Sequence, residues 1–164
     1  MLWLWSGLAL VAVSFALVVF LWRPLRRWGG EVQAERAREL FLLQRERLEL
    51  KFHMAAAASG KPRGLHWKEC SFESGVEFAR DRRSRQLIAL VPVTIRFEAV
   101  EGSDMEGLPA VGNLRNASAV FFFQAGHWMT AGKAVFNMNP DEALRHFHNQ
   151  YEPLQLTAAQ NQTR

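Results

Sequence analysis

The chain has 164 residues, 49% of them hydrophobic, with 20 Lys and Arg against 16 Asp and Glu and a single cysteine. One cysteine makes no intrachain disulfide, which excludes a secreted disulfide scaffold. There is no internal repeat and no low-complexity tract.

The first element is apolar. From Leu2 to Trp22 no residue is charged, and only Ser6 and Ser14 carry polar side chains. As a helix this run would be roughly 31 Å long, the hydrocarbon thickness of a bilayer. Trp3 and Trp5 stand at one end, Trp22 and Trp28 at the other. Tryptophan favours the headgroup level, where its ring is apolar and its N–H meets water. A cleaved signal peptide needs a basic start, a shorter apolar stretch and small residues at the cut. Here no basic residue precedes the run, and it ends in Leu21-Trp22-Arg23-Pro24. Residues 1–28 are therefore expected to be an uncleaved, single-pass transmembrane helix, a signal-anchor.

Orientation follows from the flank. Arg23, Arg26 and Arg27 come directly after the span, and cytoplasmic flanks carry the positive excess. The N-terminus is expected outside and residues 23–164 in the cytoplasm, where the glycosylation-type triplets at Asn116 and Asn161 have no meaning. The surplus of charge is local. Residues 23–63 hold ten basic and five acidic residues, and residues 64–164 hold ten and eleven. Anionic lipid attracts such a juxtamembrane segment. The rest of the chain has no basic stripe and no reader motif, so the expected partner is the lipid bilayer and not a nucleic acid.

Residues 29–60 predict a juxtamembrane helix. The segment from Glu31 to Ala58 has no Pro or Gly and is rich in good helix formers. Ala34, Ala37, Phe41, Leu48, Phe52 and Ala55 share one face, and Leu40, Leu43, Leu50 and Met54 are expected to widen that stripe. The mixed charges read as a solvated outer face. A coiled-coil seam between two copies is the sharper reading, with few heptads to support it. Ser59-Gly60 and Pro62 mark the stop.

From residue 61 to 153 the period changes to alternation. Residues 65–73 form a first strand, with Leu65, Trp67 and Glu69 on one side and His66, Cys70 and Phe72 on the other. "VEFAR" follows, then the charged loop Asp81–Arg85. In 86–101, Leu87, Ala89, Val91, Val93, Ile95, Phe97 and Ala99 alternate on one face, which predicts a half-buried strand. Pro92 cannot donate to a ladder and points to an edge or a bulge. Residues 101–113 read as a loop, 117–124 and 133–138 as strands, with a turn at 126–132. Asn139, Pro140, Asp141 and Glu142 open a helix over 140–151. Its apolar side is Ala143, Phe147 and Tyr151 with Leu144, and Pro153 ends it. Residues 154–164 are a frayed polar tail. The expected fold is α+β: a helix, an antiparallel sheet of about five strands, and a C-terminal helix packed on it. This order is similar to the general layout of cystatin-like and NTF2-like domains, a likeness of element order over residues 31–150.

No motif fixes a reaction, so no catalytic residue, cofactor or metal is assigned. His146 and His148 are two apart and do not share a helix face, which reads as one packed and one exposed histidine. Cys70 reads as a small buried hydrophobe. The aromatic residues Trp67, Phe121, Phe123 and Trp128 are the candidate lining of an apolar pocket between sheet and helix, open to a small apolar ligand or a protein partner. The expected function is a membrane-anchored interaction or binding module. The alternative is a small membrane-tethered enzyme using loop residues such as His127 or Asp104. Oligomerisation through the Ala12-xxx-Ala16 spacing of the span is a third reading.

Overall fold

The computed structural model describes residues 31–58 and 64–154. The expected span at 2–22, its flanks Trp3, Trp5, Trp22, Arg23, Arg26, Arg27 and Trp28, the helix stop at 59–63 and the tail beyond 154 lie outside the described residues. Among the described residues no helix is long and apolar enough to cross a membrane. The chain divides into two compact units, residues 1–39 and 40–164. Of the first, residues 31–39 are described and are helical.

Residues 31–43 are helical (α1), and α2 runs over Arg45–Ala58. The Gln44 N–H is shared between the carbonyls of Leu40 and Phe41, and the Leu48 N–H bonds back to Gln44 O at 3.0 Å. The hydrogen-bond ladder therefore passes through Gln44. Among the described residues seven strands follow: β1 (Leu65–Phe72), β2 (Glu77–Asp81), β3 (Leu87–Ala99), β4 (Arg115–Gln124), β5 (His127–Met129), β6 (Ala134–Phe136) and β7 (Tyr151–Pro153). A short 3-10 turn at Pro109–Gly112 precedes β4, and α3 (Pro140–His146) lies between β6 and β7. The fold is α+β with one antiparallel sheet in the order β5-β4-β3-β2-β7; β1 also pairs with β3, and β6 with β4.

Two strands exceed the expected count. β5 occupies the stretch read as a turn. β7 takes Tyr151 and Pro153, which were expected to finish the last helix. That helix stops at His146 because the ladder to β2 claims the chain. Gln150 O accepts from Arg82 N–H at 2.8 Å, and Leu154 N–H donates to Phe78 O at 2.9 Å. The start of α3 follows the sequence signals. Asn139 Oδ1 accepts from Glu142 N–H at 2.9 Å, and Glu142 Oε2 accepts from Asn139 N–H at 3.0 Å, a reciprocal capping box.

Pro92 is not on an edge strand. β3 is central, paired with β4 on one side and with β1 and β2 in succession on the other. Pro92 sits where the outer partner changes from β1 to β2, and its carbonyl accepts from Glu73 N–H at 3.0 Å. The missing N–H thus falls at a gap in the ladder.

β1 departs from simple alternation. A bulge at Lys68 shifts its register between Trp67 and Glu69. The expected sides are therefore corrected. Trp67, Cys70 and Phe72 lie opposite Phe97, Ile95 and Val93 on one face, while Glu69 faces the other way, opposite Arg96.

The two faces of the sheet have separate cores. On one, Val91, Val93, Ile95 and Phe121 are buried under the helical stretch 40–58, which contributes Phe41, Leu48, Phe52 and Ala56. The Phe121 ring lies 5.4 Å from Phe41 and 5.8 Å from Phe52. Burying each such ring contributes about 1.5–3 kcal/mol. On the other face, Ala79, Ile88 and Leu90 pack with Ala143 and Leu144 of α3, helped by Val120, Phe122 and Tyr151. Arg96 is exposed between the buried Ile95 and Phe97, as the alternation predicts. Leu40, Leu43, Leu50 and Met54 do not widen the inward stripe; they are exposed on the helix's outer side.

Candidate functional site

The four aromatic residues expected to line a pocket share the helix-covered face but do not enclose one space. Phe121 is fully buried at its centre. Trp128 lies at one end with Phe123, ring centroids 5.3 Å apart, and also touches Phe41 at 5.0 Å. Trp67 lies at the opposite end with Phe97 at 5.0 Å and Phe52 at 6.2 Å. Rings run through the layer between sheet and helix; Phe121 and Trp128 are core, while Trp67 and Phe123 are half-buried at its two ends.

A cleft of the second unit lies on the other side, where β4 begins and β6 hands over to α3. It has a volume of about 430 Å³ and is lined by Leu114, Arg115, Asn116, Asn137, Met138, Asn139 and Glu142. Its walls are set by backbone hydrogen bonds. Asn137 N–H donates to Asn116 O at 2.8 Å, and Ser118, fully buried, donates its hydroxyl to Met138 O at 2.8 Å. Asn137 adopts a left-handed conformation, φ 58°, which asparagine tolerates better than most residues. Asn116 Oδ1 faces the Thr94 hydroxyl at 3.4 Å. Asn139 and Glu142 are tied together by the capping box. Three amides, one guanidinium and one carboxylate give the cleft donors and acceptors for a polar ligand, unlike the apolar lining expected. Sequence reasoning met Asn139 and Glu142 only as a helix cap and Asn116 only in a glycosylation-type triplet. The signal was the Asn-Met-Asn-Pro run at 137–140.

Comparison with known protein families, with characterised proteins and with solved structures gives no match. The reading of the site therefore rests on its own geometry.

Next to the cleft the uncovered half of the sheet is polar. Lys68 Nζ donates to Glu98 Oε1 at 2.7 Å, which holds the Glu98 carboxyl below the usual carboxylate range. Arg96 and Glu69 stand 3.9 Å apart. Exposed pairs of this kind contribute little stability.

The structure does not bring the chemically suggestive residues together. His127 opens β5 at one end of β4, and Asp104 belongs to the loop before the other end. The ten residues of β4 separate them, roughly 30 Å of strand. His146 and His148 are both exposed, which corrects the expectation that one is packed; His148 Nδ1 lies 3.1 Å from Arg145 O. Among the described residues no group of three His, Cys, Asp or Glu is placed to hold a metal ion. Cys70 is half-buried, and burial, with Glu69 beside it, pushes its thiol up to about 11. It is protonated at neutral pH, when only the thiolate is a nucleophile. Asp81 Oδ1 accepts from the N–H groups of Ser84 at 2.7 Å and Arg83 at 2.9 Å. Those bonds, that from Ser84 foremost, hold its carboxyl below its ordinary value. Its role is to close the β2–β3 turn.

Proposed function

We propose that the chain is a membrane-anchored binding module. An anchor at residues 2–22 holds the α+β unit on the cytoplasmic face of a bilayer, and the unit binds a polar ligand or peptide segment in the cleft at the start of β4. The carrying observation is that cleft, walled by Arg115, Asn116, Asn137, Asn139 and Glu142 on an accessible side of the sheet. Amide and guanidinium groups on a fixed backbone suit recognition by several directed hydrogen bonds. The basic surplus of residues 23–63 supports the orientation.

One labelling experiment tests both parts. Leu114→Cys, in a Cys70→Ser background, puts a thiol on the cleft wall at an exposed position. In intact cells a membrane-impermeant maleimide should not react with it. After permeabilisation it should react, but more slowly in native membranes than in the purified chain, because a bound partner shields the wall. Labelling of intact cells would reverse the orientation. Equal rates in membranes and in the purified chain would leave the cleft without a ligand and remove the binding reading.

A further inference from the structure

The helical stretch 40–58 has two apolar faces on opposite sides. Phe41, Leu48, Phe52 and Ala56 face the sheet and are buried. Leu40, Leu43, Leu50 and Met54 point away from it, exposed by 36%, 82%, 62% and 63%. With Arg47 they fall at alternating spacings of three and four, so Leu40, Arg47 and Met54 occupy the a positions of a heptad and Leu43 and Leu50 the d positions. The stripe is held outward because Arg45 donates to Ser74 O at 2.6 Å and to Glu73 O, which ties the helix to the β1–β2 loop.

We propose that this outer stripe is the seam of a parallel two-stranded coiled coil between two copies of the chain, each carrying its sheet on the outside. The flanking charges select this occupant. Glu46 is at a g position and Lys51 at the following e position. In a parallel pair Glu46 meets Lys51 of the partner subunit on both sides of the seam. In an antiparallel pair g faces g and e faces e, so Glu46 no longer meets Lys51. Arg47 at a central a position fixes the register at some expense of stability.

The seam is short for a free coiled coil. Here, however, the helix is already folded against its sheet, so pairing requires no helix formation. The parallel arrangement also rests on the anchored reading. Two chains inserted from the same side of a bilayer must leave it side by side and in the same direction, at a raised effective concentration.

The test uses the full chain in its membrane, in a Cys70→Ser background, with mild oxidation. Leu43→Cys and Leu50→Cys should each give a disulfide-linked dimer, because equivalent d residues meet across a parallel seam. Leu42→Cys, exposed but off the stripe, should remain monomeric. Leu43→Glu with Leu50→Glu should convert the native chain from dimer to monomer on chemical cross-linking and leave the thermal melt in place, since neither leucine is in the core. Equal linkage at Leu42→Cys overturns the proposal. So does a dimer that survives the double glutamate, which would place association in the span. So does labelling of Leu50→Cys by a lipid-borne photoprobe without any dimer, which would make the bilayer the occupant. Membrane fractionation of the same samples reports on the anchor separately, so a soluble chain that still links at Leu43 and Leu50 would remove the anchor and keep the seam.

Discussion

At the scale of single residues, the polar groups that matter are spent on backbone geometry. Asp81 is the clearest. Two N–H groups of its own turn point at one carboxylate oxygen, the work an aspartate does at the start of many turns. Its folded pKa lies below the unfolded value of about 3.9. The stability it contributes is therefore present above about pH 4 and is lost as the pH falls through the lowered folded value. Asp81→Asn removes the charge and keeps an acceptor. The Tm difference between the native chain and this variant should shrink as the pH is lowered from about 6 to about 3. A difference that is constant across that range would mean the charge plays no part in the turn.

At the scale of elements, Gly132 shows how closely loop and helix meet. It has φ +69°, and a Cβ there would lie 2.6 Å from the backbone carbon of Ala55 and closer still to the Ala56 nitrogen. Neither neighbour is a side chain that can swing away. The approach is stitched by Thr130, whose hydroxyl donates to Val120 O at 2.9 Å and accepts from Gly132 N–H at 3.1 Å. Gly132→Ala should destabilise the unit by at least about 2 kcal/mol, from the left-handed backbone and the contact together. An unchanged thermal melt would show that the β5–β6 loop does not rest on α2. Such an approach is invisible in the sequence, where Gly132 reads only as a turn. What was legible was local and periodic. The strand over 86–101, the capping box at Asn139 and the inward stripe of α2 each follow from residues a few positions apart. β7 was illegible because three residues acquire a strand only from β2 beside them. The bulge at Lys68 was illegible because alternation gives no warning where it slips. The cleft was missed for the same reason: Asn116 and Asn137 are brought together by the β4–β6 ladder.

For the molecule as a whole, one sheet separates two cores, and this decides which substitutions it survives. Ile95 is fully buried on the aromatic side, and Arg96, the next residue, is exposed on the polar side. Ile95→Asp should unfold the unit, since an unpaired buried carboxylate costs several kcal/mol against a total of about 5–15. Arg96→Asp places a like charge opposite Glu69 and should cost under about 1 kcal/mol. Similar melts for the two variants would refute the assignment of faces.

The arrangement of the rim has its own consequence. β3 and β4 pair with each other from Leu87 opposite Phe123 to Ile95 opposite Arg115, but their outer neighbours come in two pieces, β1 with β2 and β6 with β5. A border cut into pieces has no one strand that runs the length of the central pair. Each piece is joined to the central pair by its own hydrogen bonds, so local opening of one need not carry the others with it. The cleft borders one such piece, the end of β6, whose Val135 packs on the α3 core and whose Phe136 lies against Trp67 and Phe97 on the other face.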